Sequence, residues 1–251
     1  MIHNLSKWAA NALRAPPDYV ESRTEITAGT MTGYVIGLDL GKSQDYTAIC
    51  IAEVLACERL LIQRSRFEPL VSVTERRPLN RYRVVNVRRY PRGTPYPDIY
   101  RSVQSVLHQL PSAPQEPALF VDRTGVGAPV VDSMREMGIV LTGISITGGS
   151  KVNRVSDGNV NVPKSVLAST IDIVLAEDRL ELTSEAEASD ALKAELQGFR
   201  VKKTSHGNEM MEAGREGIHD DLVLATALAI WGADNRPQPG RWIPSPHTTG
   251  R

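Results

Sequence analysis

The chain has 251 residues, with 29 basic and 29 acidic side chains and 41% hydrophobic residues. This composition is typical of a globular protein and excludes a chain that is disordered throughout, a collagen-like repeat and a coiled coil. No apolar run approaches the about 18 residues of a membrane-spanning helix. The first 25 residues lack the apolar stretch and cleavage site of a signal peptide, so we expect a cytoplasmic protein with reduced cysteines.

The hydrophobic pattern predicts three strands before the first helix. An apolar run with β-branched members at 34–40 predicts a buried strand, and a short polar turn joins it to a second strand at 46–55. A third strand is predicted at 82–90, where apolar and polar residues alternate. We expect these three strands to pair in antiparallel fashion.

From residue 99 onward, helices alternate with short buried strands. Strands separated by helices are expected to be parallel, because a parallel connection needs a crossover. The predicted elements are a helix at 99–110, a strand at 118–122, a helix at 129–137, a strand at 139–146, helices at about 163–178 and 186–197, a polar hairpin at 199–211 and an apolar helix at 220–232.

This order of elements predicts an α/β fold of the ribonuclease H-like type. We expect a mixed five-stranded central sheet, three antiparallel strands followed by parallel ones, flanked by helices. The predicted domain covers 31–234, between an N-terminal arm at 1–30 and a flexible C-terminal tail at 235–251 that is rich in Pro, Gly and polar residues.

Four carboxylates lie where this fold would bring them together. Asp39 is near the end of the first strand, Asp122 ends the fourth, and Asp220 and Asp221 open the last helix. The first and fourth strands are neighbours in the predicted sheet, and the last helix packs across it. Clustered carboxylates repel one another unless a cation lies among them, and oxygen ligands suit Mg²⁺ or Mn²⁺.

Two such ions can activate a water and stabilise the leaving oxygen of a phosphodiester. We therefore predict metal-dependent phosphodiester hydrolysis, with all four aspartates as metal ligands and catalytic residues. Each acid also has a structural explanation, since Asp at a strand end forms turns, Asp220 suits a helix N-cap and Asp221 suits the helix dipole. Asp39 lies within an apolar strand and needs a partner.

The charges are unevenly distributed along the chain. Residues 64–92 contain nine arginines and two glutamates, whereas 177–195 is acidic. A basic stretch of this kind predicts a surface for nucleic-acid phosphates, with Arg88 and Arg89 as DNA contacts. The alternative is a solvated face that the acidic helix balances. Lys42, just after the first strand, is a further predicted contact with a bound backbone.

Several segments resemble the C-terminal nuclease domain of phage large terminases. The most specific are VDRTGVG at 121–127 and EGIHDDLVLATALA at 216–229, and the resemblance extends over 33–233. Large terminases cut concatemeric viral DNA and drive it into a procapsid. The resemblance therefore implies a nuclease domain that binds two Mg²⁺ or Mn²⁺ ions and cuts double-stranded DNA with little sequence preference.

By position, the resemblance assigns roles to the same acids. Asp39 matches the aspartate that bridges the metals, Asp122 the acid at the end of the fourth strand, and Asp221 the aspartate of the helix, with Asp220 its neighbour. The predicted hairpin at 199–211, with Lys202 and Lys203, matches a region that lies along the DNA.

The chain departs from a full large terminase in one respect, because about 30 residues and no phosphate loop precede the nuclease-like part. We therefore expect it to work with a separate packaging ATPase, a small terminase or a portal, in the host-cell cytoplasm and with no membrane partner. The alternatives are a junction resolvase of the RuvC type and a non-catalytic DNA-binding or assembly module of the same fold.

Overall fold

The computed structural model describes residues 19–41, 45–65, 71–155, 158–184, 186–205 and 220–236. Its strands are β1 (Tyr19–Ile26), β2 (Thr30–Asp39), β3 (Ala48–Ser65), β4 (Val71–Arg89), β5 (Ala118–Asp122), β6 (Thr142–Thr147), β7 (Asn153–Arg154), β8 (Asn159–Pro163) and β9 (Leu180–Leu182). Its helices are α1 (Tyr96–Gln109), α2 (Gly127–Glu136), α3 (Lys164–Ala176), α4 (Ser189–Ser205) and α5 (Asp221–Asn235).

The chain divides into two compact units. The smaller is formed from the described residues of Met1–Met31 and Leu55–Arg81. In it, β1 pairs antiparallel with the later part of β3, from Ile26 opposite Arg59 to Tyr19 opposite Ser65. The strand β1 lies in the segment that we assigned to an N-terminal arm, whose polar composition gave no strand signal.

The larger unit, Thr32–Val54 with Tyr82–Arg251, contains the helices and most of the sheet. Strands follow the order β7-β8-β6-β5-β2-β3-β4-β9, and β5, β6 and β8 add parallel to β2 in succession. The strand β9 pairs parallel with β4, whereas β7 pairs antiparallel with β8.

Side-chain contacts show that β2 and β3 are antiparallel. The Thr32 hydroxyl donates to the Val54 carbonyl at 3.1 Å, and the Gly41 N–H donates to the Thr47 hydroxyl at 3.1 Å. Later residues of β2 therefore lie beside earlier residues of β3. The order β4-β3-β2-β5-β6 is that of the ribonuclease H-like fold, so the predicted fold is confirmed.

The sheet is larger than the five strands that we predicted, because β1, β7, β8 and β9 extend it to nine. Two of these additions, β7 and β9, have only two and three residues, too few for a periodic pattern to identify. The strands β3 and β4 also continue well beyond the predicted 46–55 and 82–90.

The main core lies on one face of this sheet, beneath α3, α4 and α5. Alternate residues of the strands point to this face, because side chains alternate along a strand. Members from the strands include Val35, Cys50, Tyr82, Phe120 and Ile144, and members from the helices include Leu167, Leu192 and Leu228, all buried. The intervening residues Ile36, Leu38 and Val121 are buried on the opposite face.

The predicted hairpin at 199–211 is wrong over 199–205, because α4 continues to Ser205 and includes Lys202 and Lys203. Its polar composition resembles that of a turn, yet Lys and Arg are good helix formers once a helix has begun. Residues 206–211 lie outside the described part. None of the helices in the described ranges is both long and apolar enough to cross a membrane.

Helix α5 lies directly on the backbone of β2. A Cβ atom built on Gly37 would lie 1.9 Å from the Ala225 carbonyl oxygen and 2.7 Å from the Ala229 nitrogen. Gly37 and Asp39 share a face of β2, and Asp221 precedes Ala225 by about one helical turn. The contact at Gly37 therefore brings the first turn of α5 over the end of β2.

We predict that Gly37→Ala lowers the free energy of unfolding by about 1–3 kcal/mol or more, because backbone atoms of α5 must move away. The matched control is Gly198→Ala in α4, where a Cβ would meet nothing within 4 Å. That change should raise the free energy of unfolding by about 0.5–1 kcal/mol. Urea denaturation of both variants checks the prediction, and equal effects would contradict it.

Candidate functional site

Asp39 and Asp122 lie side by side at the ends of two parallel strands. The register pairs Leu38 with Val121, and each aspartate is the next residue of its strand. Neighbouring strands are about 4.8 Å apart, and both side chains point to the face covered by α5. Both residues are less than 10% exposed, so two acidic groups lie together in a buried site.

The turn after β5 holds Asp122 in place. The Thr124 backbone N–H and hydroxyl donate to Asp122 Oδ1 at 2.8 and 2.6 Å, and the Thr124 hydroxyl accepts from the Ile146 N–H at 2.9 Å. A Cβ on Gly127 would lie 2.3 Å from the Asp122 carbonyl oxygen, so only glycine fits this turn. The segment VDRTGVG is thus built around the orientation of one carboxylate.

The two acids that open α5 have different environments. Asp221 is buried, and its Oδ2 accepts a hydrogen bond from Arg89 Nε at 2.5 Å. The Asp220 side chain is 47% exposed, and its Oδ2 lies 3.3 Å from Lys164 Nζ. Asp220 occupies the N-cap position, as the structural explanation expected, but its side chain makes no capping hydrogen bond. Asp221 is therefore the inward member of the pair.

A fifth carboxylate, Glu195 of α4, belongs to this cluster and was missed in the sequence. It is bonded to the Arg89 guanidinium, and its Oε2 accepts a hydrogen bond from the Val223 N–H at 3.2 Å. It is one of seven acids of the segment 177–195, which we noted only as an acidic region that could balance the basic stretch. Its position between the buried Leu192 and Leu196 is the signal that indicates the inner side of α4.

Arg88 and Arg89, which we predicted as joint DNA contacts, point to opposite faces of the sheet. The Arg88 guanidinium bonds to Ser102 of α1 at 3.0 Å and lies over the Tyr90 ring. The Arg89 guanidinium instead contacts Asp221 and Glu195. Contact with DNA by either residue stays a prediction.

The side-chain alternation of β4 shifts by one residue before Arg89. Tyr82 and Val84 belong to the core beneath the helices, and so does Val87. Val84 and Val87 are three residues apart, so they can share a face only if the strand has an irregularity between them, such as a β-bulge. This shift directs Arg89 toward the carboxylates.

Other arginines of the basic stretch 64–92 are also ion-paired. Arg83 bridges Glu53 at 3.1 Å and Glu181 at 3.3 Å, while Arg76 and Arg77 pair with glutamates in the smaller unit. These partners reduce the positive charge that the stretch offers to a phosphate backbone. Lys42, the contact predicted after the first strand, lies outside the described residues.

Burial and mutual repulsion raise the pKa of several acids in the cluster. The pKa of Asp39 lies well above its usual 3.8, first through burial and then through the charges of Asp122, Asp221 and Asp220. Burial also raises the pKa of Asp122, against the hydrogen bonds from Thr124. The pKa of Glu195 is raised to about 7 by burial, although Arg89 opposes the shift. Ionisation of the full cluster therefore calls for additional positive charge.

The donor chemistry of the cluster fits a hard divalent cation. Its atoms are carboxylate oxygens, the ligands that Mg²⁺ and Mn²⁺ prefer. In the described part of the chain, however, no three His, Cys, Asp or Glu side chains converge as a formed metal site. Asp221 is bonded to Arg89, and Asp220 is paired with Lys164. The donor atoms of the cluster fit the metal by their chemistry.

The chain is similar to two solved structures. One is the human cytomegalovirus terminase nuclease domain, 12% identical with a TM-score of 0.46, over 94% of this chain and 96% of that chain. The other is the same domain soaked with manganese and bound to an inhibitor, 10% identical with a TM-score of 0.42, over 83% and 85%. No protein-family model matches the sequence, and no curated protein matches it.

The raised pKa values predict that stability without divalent ions falls as the pH rises. Acids whose pKa is higher in the folded state bind more protons there, so the free energy of unfolding decreases with pH. The contribution of Glu195 is lost between its usual pKa of 4.5 and its folded-state pKa of about 7. For Asp39, the pH range over which stability is lost begins at its usual pKa of 3.8. Asp39→Asn should therefore raise the melting temperature at pH 8 in EDTA.

Thermal melts between pH 5 and 8 measure this effect. The control is Asp132→Asn on α2, whose side chain is exposed, and its melts should match those of the wild type. A lower melting temperature for Asp39→Asn than for the wild type at pH 8 would contradict the interpretation.

Proposed function

We propose that this protein is a metal-dependent endonuclease that cleaves phosphodiesters of double-stranded DNA. The observation that carries the proposal is the pair Asp39 and Asp122, buried on adjacent strand ends, with the charge of Asp221 acting on Asp39. A protein gains no stability from placing like charges together in a low-dielectric site. A divalent cation bound among the carboxylates would neutralise this repulsion.

Asp39, on which the charges of the three other aspartates act, would hold the ions together with Asp122 and Asp221. Asp220 would be a further ligand. Two Mg²⁺ or Mn²⁺ ions would supply an activated water and stabilise the leaving oxygen. Thr124 orients Asp122 through two hydrogen bonds, so the ligand oxygen is held before any ion arrives.

As a finer proposal, the activity is the nuclease part of a phage DNA-packaging terminase, acting in the host-cell cytoplasm. The sequence resemblance over 33–233 supports it, and a separate packaging ATPase, small terminase or portal is the proposed partner. The proposed domain boundaries remain 31–234, with the arm and tail on either side. The proposed contacts with the DNA backbone are Lys42, Arg88, Arg89, Lys202 and Lys203.

The test is cleavage of supercoiled plasmid in Mg²⁺, Mn²⁺ or EDTA. We expect the wild type to cut in either metal and not in EDTA. Asp39→Asn and Asp122→Asn should each lower the rate by more than about a hundredfold, because even a residue that merely orients a metal ligand is worth about 10–100-fold. Asp132→Asn, a carboxylate removed from an exposed helix surface, should cut at the wild-type rate.

Cutting that survives both substitutions would show that the acids named here are not the site. Calorimetry with Mn²⁺ covers the case in which the wild type does not cut. DNA binding without Mn²⁺ binding would favour the non-catalytic module. Preference for a four-way junction over linear duplex in the same assay would favour a resolvase.

A further inference from the structure

Arg89 places a positive charge inside the acidic cluster. Its guanidinium contacts Asp221 of α5 and Glu195 of α4, and all three side chains are largely buried, with Arg89 23% exposed. Hydrogen bonds between charged groups are stronger when water is excluded. The guanidinium therefore offsets part of the repulsion among the acids.

The surroundings hold Arg89 in this position from two sides. Its guanidinium lies 5.3 Å from the centre of the Tyr46 ring, and Arg92 lies over the same ring at 4.3 Å. Glu195 is in turn anchored by the Val223 N–H at the start of α5. The two acceptors of Arg89 differ, since Asp221 is among the charges acting on Asp39, whereas Glu195 bonds to Arg89 and to backbone.

We propose that Arg89 is an internal counterion that competes with the divalent metal for Asp221, and that Glu195 is a positioning residue that retains Arg89 when metal binds. The proposal rests on the proposed function, because it assumes that Asp221 is a metal ligand. A guanidinium and a metal ion repel each other, so the guanidinium must withdraw from Asp221 as the ion enters. Glu195 supplies the acceptor toward which it withdraws.

The two residues should therefore affect metal affinity in opposite directions. Arg89→Gln removes the competing charge, so Mn²⁺ should bind roughly tenfold more tightly, within the usual range of coupling between two ligands. The same variant should melt at a lower temperature in EDTA, because the acids lose their counterion. Glu195→Gln leaves Arg89 with Asp221 as its carboxylate partner, so Mn²⁺ should bind several-fold more weakly.

The experiment is Mn²⁺ calorimetry on the full chain and on the variants Arg89→Gln, Glu195→Gln and the double variant. Melts in EDTA establish that each is folded. The matched control is Arg83→Gln, which removes another β4 arginine that bridges two glutamates and should leave Mn²⁺ affinity unchanged. In the double variant, the effect of Glu195→Gln should disappear, because it acts through Arg89.

Weaker or unchanged Mn²⁺ binding by Arg89→Gln would overturn the proposal. If Glu195→Gln lowers Mn²⁺ affinity equally in the wild-type and Arg89→Gln backgrounds, the proposal is also overturned, because Glu195 would then be a direct ligand. Mn²⁺ binding by Arg89→Gln but not by the wild type would support strong competition. No binding by either protein would contradict this proposal and the proposed metal site together, whereas ordinary wild-type binding with the wrong variant pattern contradicts this proposal alone.

Discussion

The candidate site depends on direct contact between two backbones, that of α5 and that of β2 at Gly37. Any side chain at Gly37 would occupy the space of the Ala225 carbonyl. With glycine there, the first turn of α5 lies over the end of β2, and Asp221 faces Asp39 and Asp122. Parallel pairing of β2 with β5 places those two acids in register. Strand pairing and helix packing thus converge on one group of carboxylates.

That convergence has an electrostatic cost, and the surrounding residues reduce it. Arg89 bonds to Asp221 and Glu195, and Lys164 pairs with Asp220. The inner contacts are shielded from water, whereas the Lys164 pair is largely exposed and contributes little. Strain of this kind, retained at the expense of stability, is typical of functional sites. The cluster is arranged so that added positive charge would relieve it.

Much of this arrangement could be predicted from the sequence. The strand at 118–122 agrees with β5, and the five central strands have the expected order, because β-branched apolar runs and helical periodicity are local signals. The four aspartates could be identified as a candidate site because they lie at the ends of predicted strands and at the start of the last helix. Glu195 was missed because it stands within an acidic segment, and composition does not distinguish inner from outer positions. The hairpin predicted at 199–211 was wrong over 199–205, where α4 continues. The polar sequence there has no apolar stripe that would indicate a helix.

The sequence by itself determined the five central strands, their order in the sheet and which aspartates lie at the ends of the elements. Only the tertiary structure decided that Asp221 points inward and Asp220 outward, because consecutive helical residues differ by about 100° in direction and packing sets the rotation. It likewise decided that Arg89 joins the acids while Arg88 faces α1. A one-residue shift in a strand reverses every side chain beyond it, and the alternating pattern of residues 82–90 did not indicate such a shift before Arg89.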